Sequence, residues 1–358
     1  MHNPKIGIVS TDWSQTLVDS RHHPIPGGAG WIRLQQIRPH LPFETITGSL
    51  LFNEKKGFSI MDFDGRVHMN CGIIVLQRLM FGDLVEKIDF VKRMKVRPLI
   101  INDLDDWYWG LSPDNAAYSL VQPTLNPNEN IDHYEQILRM SDVITVSTPF
   151  LYNKMRNWLK HPNVVLVENG VSVAHFKRRA VRTRKPVVGW VGSTSHRSRD
   201  LEELSGLFGK GDLLHHSGHN HGAPLFQERI NSNGAKVTLS PMYPPREYAR
   251  KAFDFDIGIA PLSDSDFNKA KSWIKVIEYA AAGIPAVASA APEYVRLRDE
   301  YGIGRIATSL SEWREHLDDL ADVGVRKAER DEVLERVAEV DVTKMARRWQ
   351  ELIAGLSL

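Results

Sequence analysis

The sequence predicts two doubly wound α/β domains, each a parallel sheet covered by helices. The 358 residues exceed the size at which one hydrophobic core is normally retained, so two domains are expected. Short unbroken apolar runs alternate with longer stretches of helical periodicity, as buried parallel strands and their covering helices do. The alternation stops once, at residues 176–186, where six Lys and Arg residues stand without apolar periodicity. This segment is interpreted as a solvated linker between the domains.

In the first half, five runs rich in β-branched residues are predicted as buried strands: 5–10, 72–77, 96–103, 142–147 and 163–169. Four stretches carry apolar residues at helical spacing and are predicted as helices: 31–41, 81–94, 130–141 and 149–160. The repeated βα order indicates a parallel sheet.

The second half repeats this pattern. Strands are predicted at 186–192, 212–218, 235–240, 255–262, 285–289 and 303–307, with helices at about 199–208, 223–232, 245–252, 271–282 and 291–300. Three closing segments, 309–321, 325–339 and 342–355, have amphipathic helical patterns. The predicted boundaries are 1–178 for the first domain, 179–340 for the second and 341–358 for a C-terminal helix. In a two-domain protein this helix can pack back on the first domain.

Composition excludes several classes of protein. A net charge of +1 provides no global field for a polyanion, so dedicated nucleic-acid binding is disfavoured. The single cysteine, Cys71, cannot form an internal disulfide, and the N-terminus has no charged region followed by a long apolar stretch. A cytoplasmic location is therefore expected. No run of about 18 apolar residues is present, so no transmembrane segment is expected.

The strongest motif spans residues 258–289, where a strand, a polar loop and a helix follow one another. A helix beginning near Lys271 and Ser272 would present free N–H groups and a positive dipole end to a phosphate, and Lys271 adds a full charge there. Lys271, Lys275 and Glu278 stand at i, i+4 and i+7 and so share one helix face. Glu278 is then placed to accept hydrogen bonds from ribose hydroxyls, as acidic residues do in dinucleotide folds.

This stretch resembles the donor-site signature of retaining GT-B glycosyltransferases, of the family 4-like branch with an FN-x2-KS-x-IK-x2-EYAA-x-GIP pattern. The matching residues are Phe267, Asn268, Lys271, Ser272, Ile274, Lys275, Glu278, Tyr279, Gly283 and Pro285. In the wider superfamily a second glutamate, eight positions earlier, contacts the sugar. That position is Ala270 here, so Asp264, Asp266 or Asn268 is a candidate replacement.

A second motif, at residues 189–204, resembles the first strand and loop of the family's nucleotide domain. Gly192, Ser193 and Thr194 let phosphate approach backbone N–H groups. His196 and Arg197 are candidates to supply charge. An enzyme without a catalytic metal needs fixed cations for the departing diphosphate, and Arg197, Lys271 and Lys275 are predicted to serve.

In the first domain, residues 25–34 follow the first strand and contain Gly27, Gly28 and Gly30 before a helix. The spacing is not the G-x-G-x-x-G of nicotinamide enzymes, which weakens a dehydrogenase interpretation. The resemblance implies that this loop faces the donor phosphates and the acceptor. The alternative is a flexible turn. Asn169 and Gly170 form an NG turn that is predicted to be structural.

Asp103, Asp105 and Asp106 stand at the carboxyl end of a predicted buried strand. Carboxylates this close repel, so one of them is expected to have a raised pKa and to accept the proton of an acceptor hydroxyl. Trp107, Tyr108 and Trp109 follow and are either a platform for the acceptor or core residues. Four histidines, His215, His216, His219 and His221, suggest zinc. A polar loop beside the nucleobase is favoured over zinc, because no Cys or carboxylate accompanies them.

The resemblance implies a hexosyltransferase-like enzyme that moves a sugar from a nucleoside-diphosphate sugar to an acceptor hydroxyl, with retention and without a cofactor or metal. The acceptor is a glycan, a protein or another hydroxyl-bearing molecule; modified DNA is disfavoured by the charge. Two alternatives stay open. A sugar-nucleotide epimerase of the same fold needs no acceptor, and a non-catalytic nucleotide-sugar binding protein, suggested by Ala270, binds donor without turnover.

Overall fold

The computed structural model describes residues 4–18, 22–194, 199–219 and 222–356. The chain divides into two compact units. The first unit comprises Met1–Trp109, Ala117–Asn169 and Thr343–Leu358, and the second comprises Gly110–Ala116 and Gly170–Val342.

The first unit is built on an eight-stranded sheet. Its strands are β1 (Ile6–Ser10), β4 (Thr45–Asn53), β5 (Gly57–Asp62), β6 (Val67–His68), β7 (Ile73–Gln77), β8 (Leu99–Leu104), β9 (Val143–Val146) and β10 (Val164–Leu166), and a separate antiparallel pair is formed by β2 (Trp13–Val18) and β3 (Pro24–Pro26). The order is β10-β9-β8-β7-β1-β4-β5-β6. β4 and β7 both pair in parallel with β1, one on each side of it. The direction in which successive strands are added to the sheet therefore reverses at β1.

Helices α1 to α5 belong to the first unit. They are α1 (Gly28–Gly30), which continues as a π-helical turn at Trp31–Gln35, α2 (Gly82–Lys92), α3 (Tyr118–Val121), α4 (Ile131–Met140) and α5 (Pro149–Asn153), which continues as a π-helical turn at Lys154–Trp158. Two starts are capped by side chains: Asn130 accepts from the backbone N–H groups of residues 132 and 133, and Thr148 accepts from that of Leu151. Pro149 follows Thr148 at the first helical position, where its missing N–H costs nothing.

The second unit contains one fully parallel sheet. Its strands are β11 (Val188–Val191), β12 (Leu213–His219), β13 (Lys236–Pro241), β14 (Ile257–Ala260), β15 (Ala286–Ser289) and β16 (Arg305–Ala307). Their order is β13-β12-β11-β14-β15-β16. This is the 3-2-1-4-5-6 order of a Rossmann sheet, and the direction of winding reverses between β11 and β14.

Helices α6 to α12 cover this sheet: α6 (Phe226–Arg229), α7 (Pro245–Lys251), α8 (Asp266–Lys269), α9 (Ile274–Ala281), α10 (Pro292–Tyr301), α11 (Leu310–Asp319) and α12 (Val323–Arg336). Phe253, Phe255 and Tyr279 belong to the core on one face, and Trp190 and Phe226 to the core on the other. Glycine is required at position 189, because a Cβ there would lie 2.0 Å from the Phe255 ring.

The last helix, α13 (Val342–Gly355), belongs to the first unit from Thr343 onward. The predicted return of this helix is therefore confirmed. Gln350 on α13 donates from Nε2 to the backbone oxygen of His40 at 2.8 Å. The first and last residues of the second unit's long segment, Gly170–Val342, lie side by side, since Val342 N donates to Val171 O at 2.9 Å.

All eleven predicted strands are present, but some local predictions differ from the structure. The antiparallel strands β4, β5 and β6 were not predicted, because β4 is only partly buried and its sequence is not a continuous apolar run. The predicted helix at 199–208 is wrong: the segment holds a single 3₁₀ turn, Glu202–Leu204, and Gly206 has a left-handed φ of 84°.

The basic segment at 176–186 lies in the second unit and is anchored there. Lys177 N donates to Ala249 O at 3.1 Å, and Arg179 N donates to Ala282 O at 2.8 Å. Arg182 pairs with Asp254 and lies 3.7 Å from Asp256. Arg179 and Lys185 also have carboxylate partners, Asp254 and Asp212. Part of this segment is therefore bound to the second unit, whereas composition predicted a solvated linker. The unit changes earlier along the chain, at Asn169 and Gly170.

Candidate functional site

In the second unit, the carboxyl ends of β11 and β14 mark the point where the winding of the sheet reverses. Ligands of open α/β sheets bind in the crevice outside such ends. The loop after β11 begins at Gly192, and the loop after β14 leads through α8 to the start of α9. Both sequence motifs of the predicted donor site therefore lie at this switch point.

Every backbone polar group at the start of the first loop is bonded. Val191 N donates to Tyr279 Oη at 3.3 Å, and Lys275 Nζ donates to Val191 O. Gly192 N donates to Ser217 O at 2.9 Å, and His216 Nε2 lies 2.8 Å from Gly192 O. Such saturation fixes the backbone of Val191 and Gly192 at the end of β11.

His216 acts in this arrangement as a neutral hydrogen-bond donor. Its ring is fully buried between Trp190 and Phe226, with centroid distances of 5.2 Å to each. Burial lowers the pKa of His216 to about 4, so the ring is uncharged at neutral pH. Because Gly192 O can only accept, the proton of the neutral ring lies on Nε2.

Two glycines meet where β11 and β12 end. Gly192 has a φ of 150° and Gly218 a φ of 114°, both open to glycine and unfavourable for other residues. A Cβ at Gly218 would lie 2.6 Å from Gly192 O. This close approach of two backbones explains why residue 218 is glycine.

The loop after β14 is held by Asp200. Its Oδ1 accepts from Ser263 N at 3.0 Å, from Ser263 Oγ at 2.9 Å and from Asn268 Nδ2 at 2.7 Å. Asn268 also donates to Ser263 O at 3.0 Å and is buried. These bonds assign Asn268 a part in holding the loop, and its predicted contact with donor stays a prediction.

The structure places Lys271 and Ser272 before α9 and not on it. α8 ends at Lys269, and α9 begins at Ile274 after Trp273. The expected helix start near residue 271 is therefore wrong by one turn, and Lys271 does not share a helix face with Lys275 and Glu278. Lys271 Nζ lies 4.3 Å from the centroid of the Phe267 ring, which fixes the cation at the mouth of the loop.

Lys275 and Glu278 lie on α9 and are 7% and 8% exposed. Lys275 Nζ is 5.1 Å from the centroid of Trp190, in addition to its bond to Val191 O. Glu278 Oε2 accepts from Tyr248 Oη at 2.7 Å. Burial raises the pKa of Glu278 to about 7, and the Tyr248 hydroxyl and Lys275 act against that rise.

The remaining predicted donor residues are only partly described. His196 and Arg197 lie outside the described residues. Ser193 is half-buried next to Gly192, and the buried Thr194 donates from Oγ1 to Pro224 O at 2.7 Å. The sequence placed Thr194 with the phosphate contacts, whereas its hydroxyl is used inside the fold.

The adjacent histidines of β12 have different partners. His215 pairs with Thr238 Oγ1 at 2.9 Å, whereas His216 pairs with Gly192 O. His221 lies outside the described residues. Among the residues that the structure describes, no three His, Cys, Asp or Glu side chains converge as a metal site requires.

In the first unit, the residues that follow β1, β7 and β8 gather at one edge, since these strands are neighbours in the order β1-β7-β8. Arg78 Nη1 donates to Asp12 Oδ1 at 2.6 Å. Arg78 has a φ of 58°, a left-handed conformation that is uncommon for a non-glycine residue and concentrates at functional sites.

The glycine-rich loop is attached to the same carboxylate. Asp12 Oδ2 accepts from Gly30 N at 2.7 Å, and Gly27 N donates to Asp12 O at 3.2 Å. A Cβ at Gly30 would lie 2.9 Å from both Asp12 Cβ and Pro26 Cβ, so a larger residue is excluded there. Gly28 has a φ of 44°, whereas a Cβ at Gly27 would meet nothing described within 4 Å.

Asp103 is fully buried and accepts four hydrogen bonds from three residues. Arg33 donates to it from Nε at 3.1 Å and from Nη2 at 2.6 Å, Gln77 donates at 3.0 Å and Thr145 at 2.7 Å. Arg33 is itself fully buried and also donates to Asn169 Oδ1 at 2.9 Å. Because its carboxylate is bound in this way, Asp103 is assigned to holding the first unit together. The proton transfer expected of one aspartate in this group is better suited to Asp105, whose surroundings differ.

Removing one member of this buried pair is expected to be costly. Asp103→Ala leaves the Arg33 guanidinium uncompensated in the core and should lower the free energy of unfolding by about 3–5 kcal/mol. Urea unfolding followed by circular dichroism measures this. The double variant Arg33→Met with Asp103→Leu should lose less than Asp103→Ala alone. Equal losses would contradict the explanation by an uncompensated charge.

Asp105 differs from Asp103 in its surroundings. It is half-buried, and Tyr108 Oη donates to its Oδ1 at 3.3 Å. Burial raises the pKa of Asp105 to about 7; Asp106, Asp12 and Asp103 add to the rise, and Arg78 opposes it. Burial, followed by the charge of Asp105, also raises the pKa of Tyr108, which therefore stays protonated and can donate. The expectation of one raised carboxyl pKa in this group agrees with Asp105.

The aromatic residues after β8 are packed together. The centroids of Trp107 and Trp109 are 4.8 Å apart, and each contacts Trp158, at 5.2 and 5.0 Å. Trp107 and Tyr108 are buried. Core packing, rather than a platform for the acceptor, therefore fits Trp107 and Tyr108. Trp158 is exposed.

Sequence reasoning missed Asp12, Arg78, Arg33 and Tyr248 as members of the two sites. Asp12 and Arg78 directly follow strand runs, which is the one signal that would have found them. Arg33 and Tyr248 stand on helices and are recognisable only from their partners. Among the described residues, no helix is both long and apolar enough to cross a membrane.

Comparison with known proteins identifies the fold. No family model matches the sequence, and no curated protein matches it. Several solved structures match over the whole chain. A sucrose-phosphate synthase from Thermosynechococcus elongatus has a TM-score of 0.65 at 13% identity, over 98% of each chain. A glycosyltransferase from Rickettsia africae has a TM-score of 0.60 at 12% identity, over 100% of each chain.

HepE from Anabaena, in complex with UDP and glucose, has a TM-score of 0.57 at 12% identity, over 99% of this chain and 100% of that one. Identities this low establish the fold and not the activity. The chain has the GT-B fold, with two Rossmann-like units, as its sequence predicted.

Proposed function

We propose that this protein is a metal-independent glycosyltransferase that moves a sugar from a nucleoside-diphosphate sugar to an acceptor hydroxyl. The observation that carries the proposal is the fixed backbone of Val191 and Gly192, bonded at four groups where the winding of the second sheet reverses. The HepE structure contains UDP and glucose, so a UDP-sugar is the first donor to test.

The second unit is assigned to the donor. Gly192 lets the diphosphate approach the backbone N–H group of Ser193 closely, and Lys271 and Lys275 supply positive charge to it. Glu278 accepts hydrogen bonds from the ribose hydroxyls, with Tyr248 orienting its carboxyl group. His196, Arg197, Ser272 and Asn268 keep the donor roles that the sequence predicts for them.

The first unit is assigned to the acceptor. Asp105 accepts the proton of the acceptor hydroxyl while the hydroxyl oxygen forms a bond to the anomeric carbon of the sugar. The bond from that carbon to the diphosphate oxygen breaks, and the nucleoside diphosphate leaves with the electron pair. Lys271 and Lys275 stabilise the charge that develops on it. Resemblance of residues 267–285 to retaining enzymes supports retention, in which the acceptor attacks from the face that the diphosphate leaves. The anomeric coupling constant of the product tests this.

UDP binding tests the donor site without knowledge of the acceptor. At 100 times its dissociation constant, UDP should stabilise the fold by about 2.7 kcal/mol, which a thermal-shift assay detects. Lys271→Ala should raise the dissociation constant about 10- to 100-fold, because it removes a charge-assisted contact.

Lys269→Ala is the matched control, since Lys269 is two residues away and pairs with Asp264 at 3.2 Å. Its UDP affinity should equal that of the unsubstituted protein. Equal losses in both lysine variants, or none in Lys271→Ala, would remove the donor assignment. Analysis of products with a UDP-sugar and hydroxyl acceptors then separates transfer from epimerisation, which consumes no acceptor, and from binding without turnover.

A further inference from the structure

We infer that Asp12 is a positioning residue for the proposed transfer: its carboxylate engages Arg78 with one oxygen and the glycine-rich loop with the other, which leaves Asp105 without a direct ion-pair partner among the described residues. The inference rests on the proposed function, because it concerns the base assigned to the acceptor hydroxyl. Asp12 is outside both sequence motifs.

The geometry gives each oxygen of Asp12 a separate partner. Oδ1 accepts from Arg78 Nη1 at 2.6 Å, and Oδ2 accepts from Gly30 N at 2.7 Å. The backbone of Asp12 is also fixed, since its N–H donates to Ser10 Oγ at 3.1 Å and its oxygen accepts from Gly27 N. Asp12 therefore joins the start of α1 to the cation that follows β7.

Arg78 is the cation that this arrangement controls. Its side chain is 33% exposed, and its guanidinium carbon lies 5.7 Å from the centroid of the Tyr108 ring. Within the described residues its ion pair is with Asp12 and not with Asp105. The left-handed backbone of Arg78 is held by this pair, which balances part of its conformational cost.

Several charged or titratable groups act on Asp105. Asp12 follows β1, Arg78 follows β7, Asp103 and Asp106 flank Asp105, Tyr108 follows it, and Tyr134 stands on α4. Asp103 is already paired with Arg33. Arg78 is therefore the cation whose position decides how far the charge of Asp105 is stabilised.

The consequence is a stronger base. A guanidinium bound directly to Asp105 would favour the ionised carboxylate and lower its affinity for a proton. With Arg78 engaged by Asp12, the pKa of Asp105 stays raised, at about 7. Because Asp12 also holds Gly30, any movement of the glycine-rich loop would be transmitted to Arg78 and Asp105.

Asp12→Asn tests the inference, since asparagine keeps an acceptor for Gly30 N and removes the charge. The loss of the Asp12 charge and the release of Arg78 toward Asp105 both favour the ionised form of Asp105. The pKa of Asp105 should therefore fall by about one to three pH units. The acid limb of the turnover rate should move to lower pH by the same amount, and UDP affinity should stay unchanged.

The readout is ¹³C NMR of aspartate carboxyl groups during a pH titration, with the Asp105 signal assigned from Asp105→Asn. Asp12→Glu keeps the charge and should retain a raised Asp105 pKa. Asp83→Asn, at an exposed residue paired with Lys87, is the control for loss of one carboxylate and should change nothing at Asp105. Arg78→Gln should raise the Asp105 pKa further.

The outcomes separate the inference from the function on which it rests. A raised Asp105 pKa that falls in Asp12→Asn and persists in Asp12→Glu supports the inference. A raised pKa that is the same in Asp12→Asn overturns it and leaves Asp105 as the base. An ordinary Asp105 pKa of about 4 in the unsubstituted protein overturns both the inference and the base assignment, while UDP binding to the second unit remains a separate test.

Discussion

Asp105→Asn is expected to lower the rate of sugar transfer about 100- to 10,000-fold, the usual contribution of a general base. The amide has nearly the shape of the carboxyl group and can still accept from Tyr108, so the fold should be preserved. UDP affinity should also be unchanged, because the donor residues belong to the second unit. Transfer rates and isothermal titration with UDP measure the two effects separately.

The pH dependence follows from the same assignment. Only ionised Asp105 can accept the acceptor's proton, and its pKa is about 7. Turnover should therefore rise with pH through about 7 and level off above it. Asp106→Asn is the control: it removes a neighbouring carboxylate that raises the Asp105 pKa, so it should move the acid limb to lower pH and retain turnover above it. If Asp106→Asn causes the large loss and Asp105→Asn does not, the base is Asp106.

Gly218→Ala is expected to abolish tight UDP binding, with at least a 10-fold rise in the dissociation constant. The new Cβ would lie 2.6 Å from Gly192 O, and residue 218 has a φ of 114°. Relief of this clash requires movement of the Gly192 loop that the proposal assigns to the diphosphate. Overpacking of this kind costs about 1–3 kcal/mol of stability, to which the left-handed backbone adds about 1 kcal/mol.

Gly222→Ala is the matched control for backbone strain. Gly222 has a φ of 83°, and no described atom lies within 4 Å of the position its Cβ would take. It should lose about 1 kcal/mol of stability and keep its UDP affinity. Calorimetric unfolding and UDP titration on both variants check this. An equal affinity loss in both would show that backbone strain, and not the contact with Gly192, is responsible.

The parallel strands were predictable because each is buried on both sides and reads as a continuous apolar run, as in residues 72–77. The predicted donor motif is recognisable in the sequence because Lys271, Lys275 and Glu278 stand within eight residues of one another. The start of α9 was misplaced because Ser265 caps a separate short helix ahead of it. Nothing in the helical spacing of residues 271–282 signals that interruption.

The cluster of charged residues after β1, β7 and β8 was predictable only in part. The three aspartates after β8 are adjacent in sequence, but which one has a raised pKa depends on distant partners. Arg33 is 70 residues from Asp103, and Arg78 is 66 residues from Asp12. Strand order decides these pairings, and a single sequence does not determine the order of strands that are separated by long connections. The same holds for Tyr248 and Glu278, which are 30 residues apart.

A crystal structure of the protein soaked with UDP tests the central claim most directly. The diphosphate should lie against the backbone of Gly192 and Ser193, within reach of Lys271 and Lys275, and the ribose hydroxyls should lie within hydrogen-bond distance of Glu278. Density for UDP away from the ends of β11 and β14, or a Glu278 carboxyl group that keeps Tyr248 as its partner and does not contact the ribose, would contradict it.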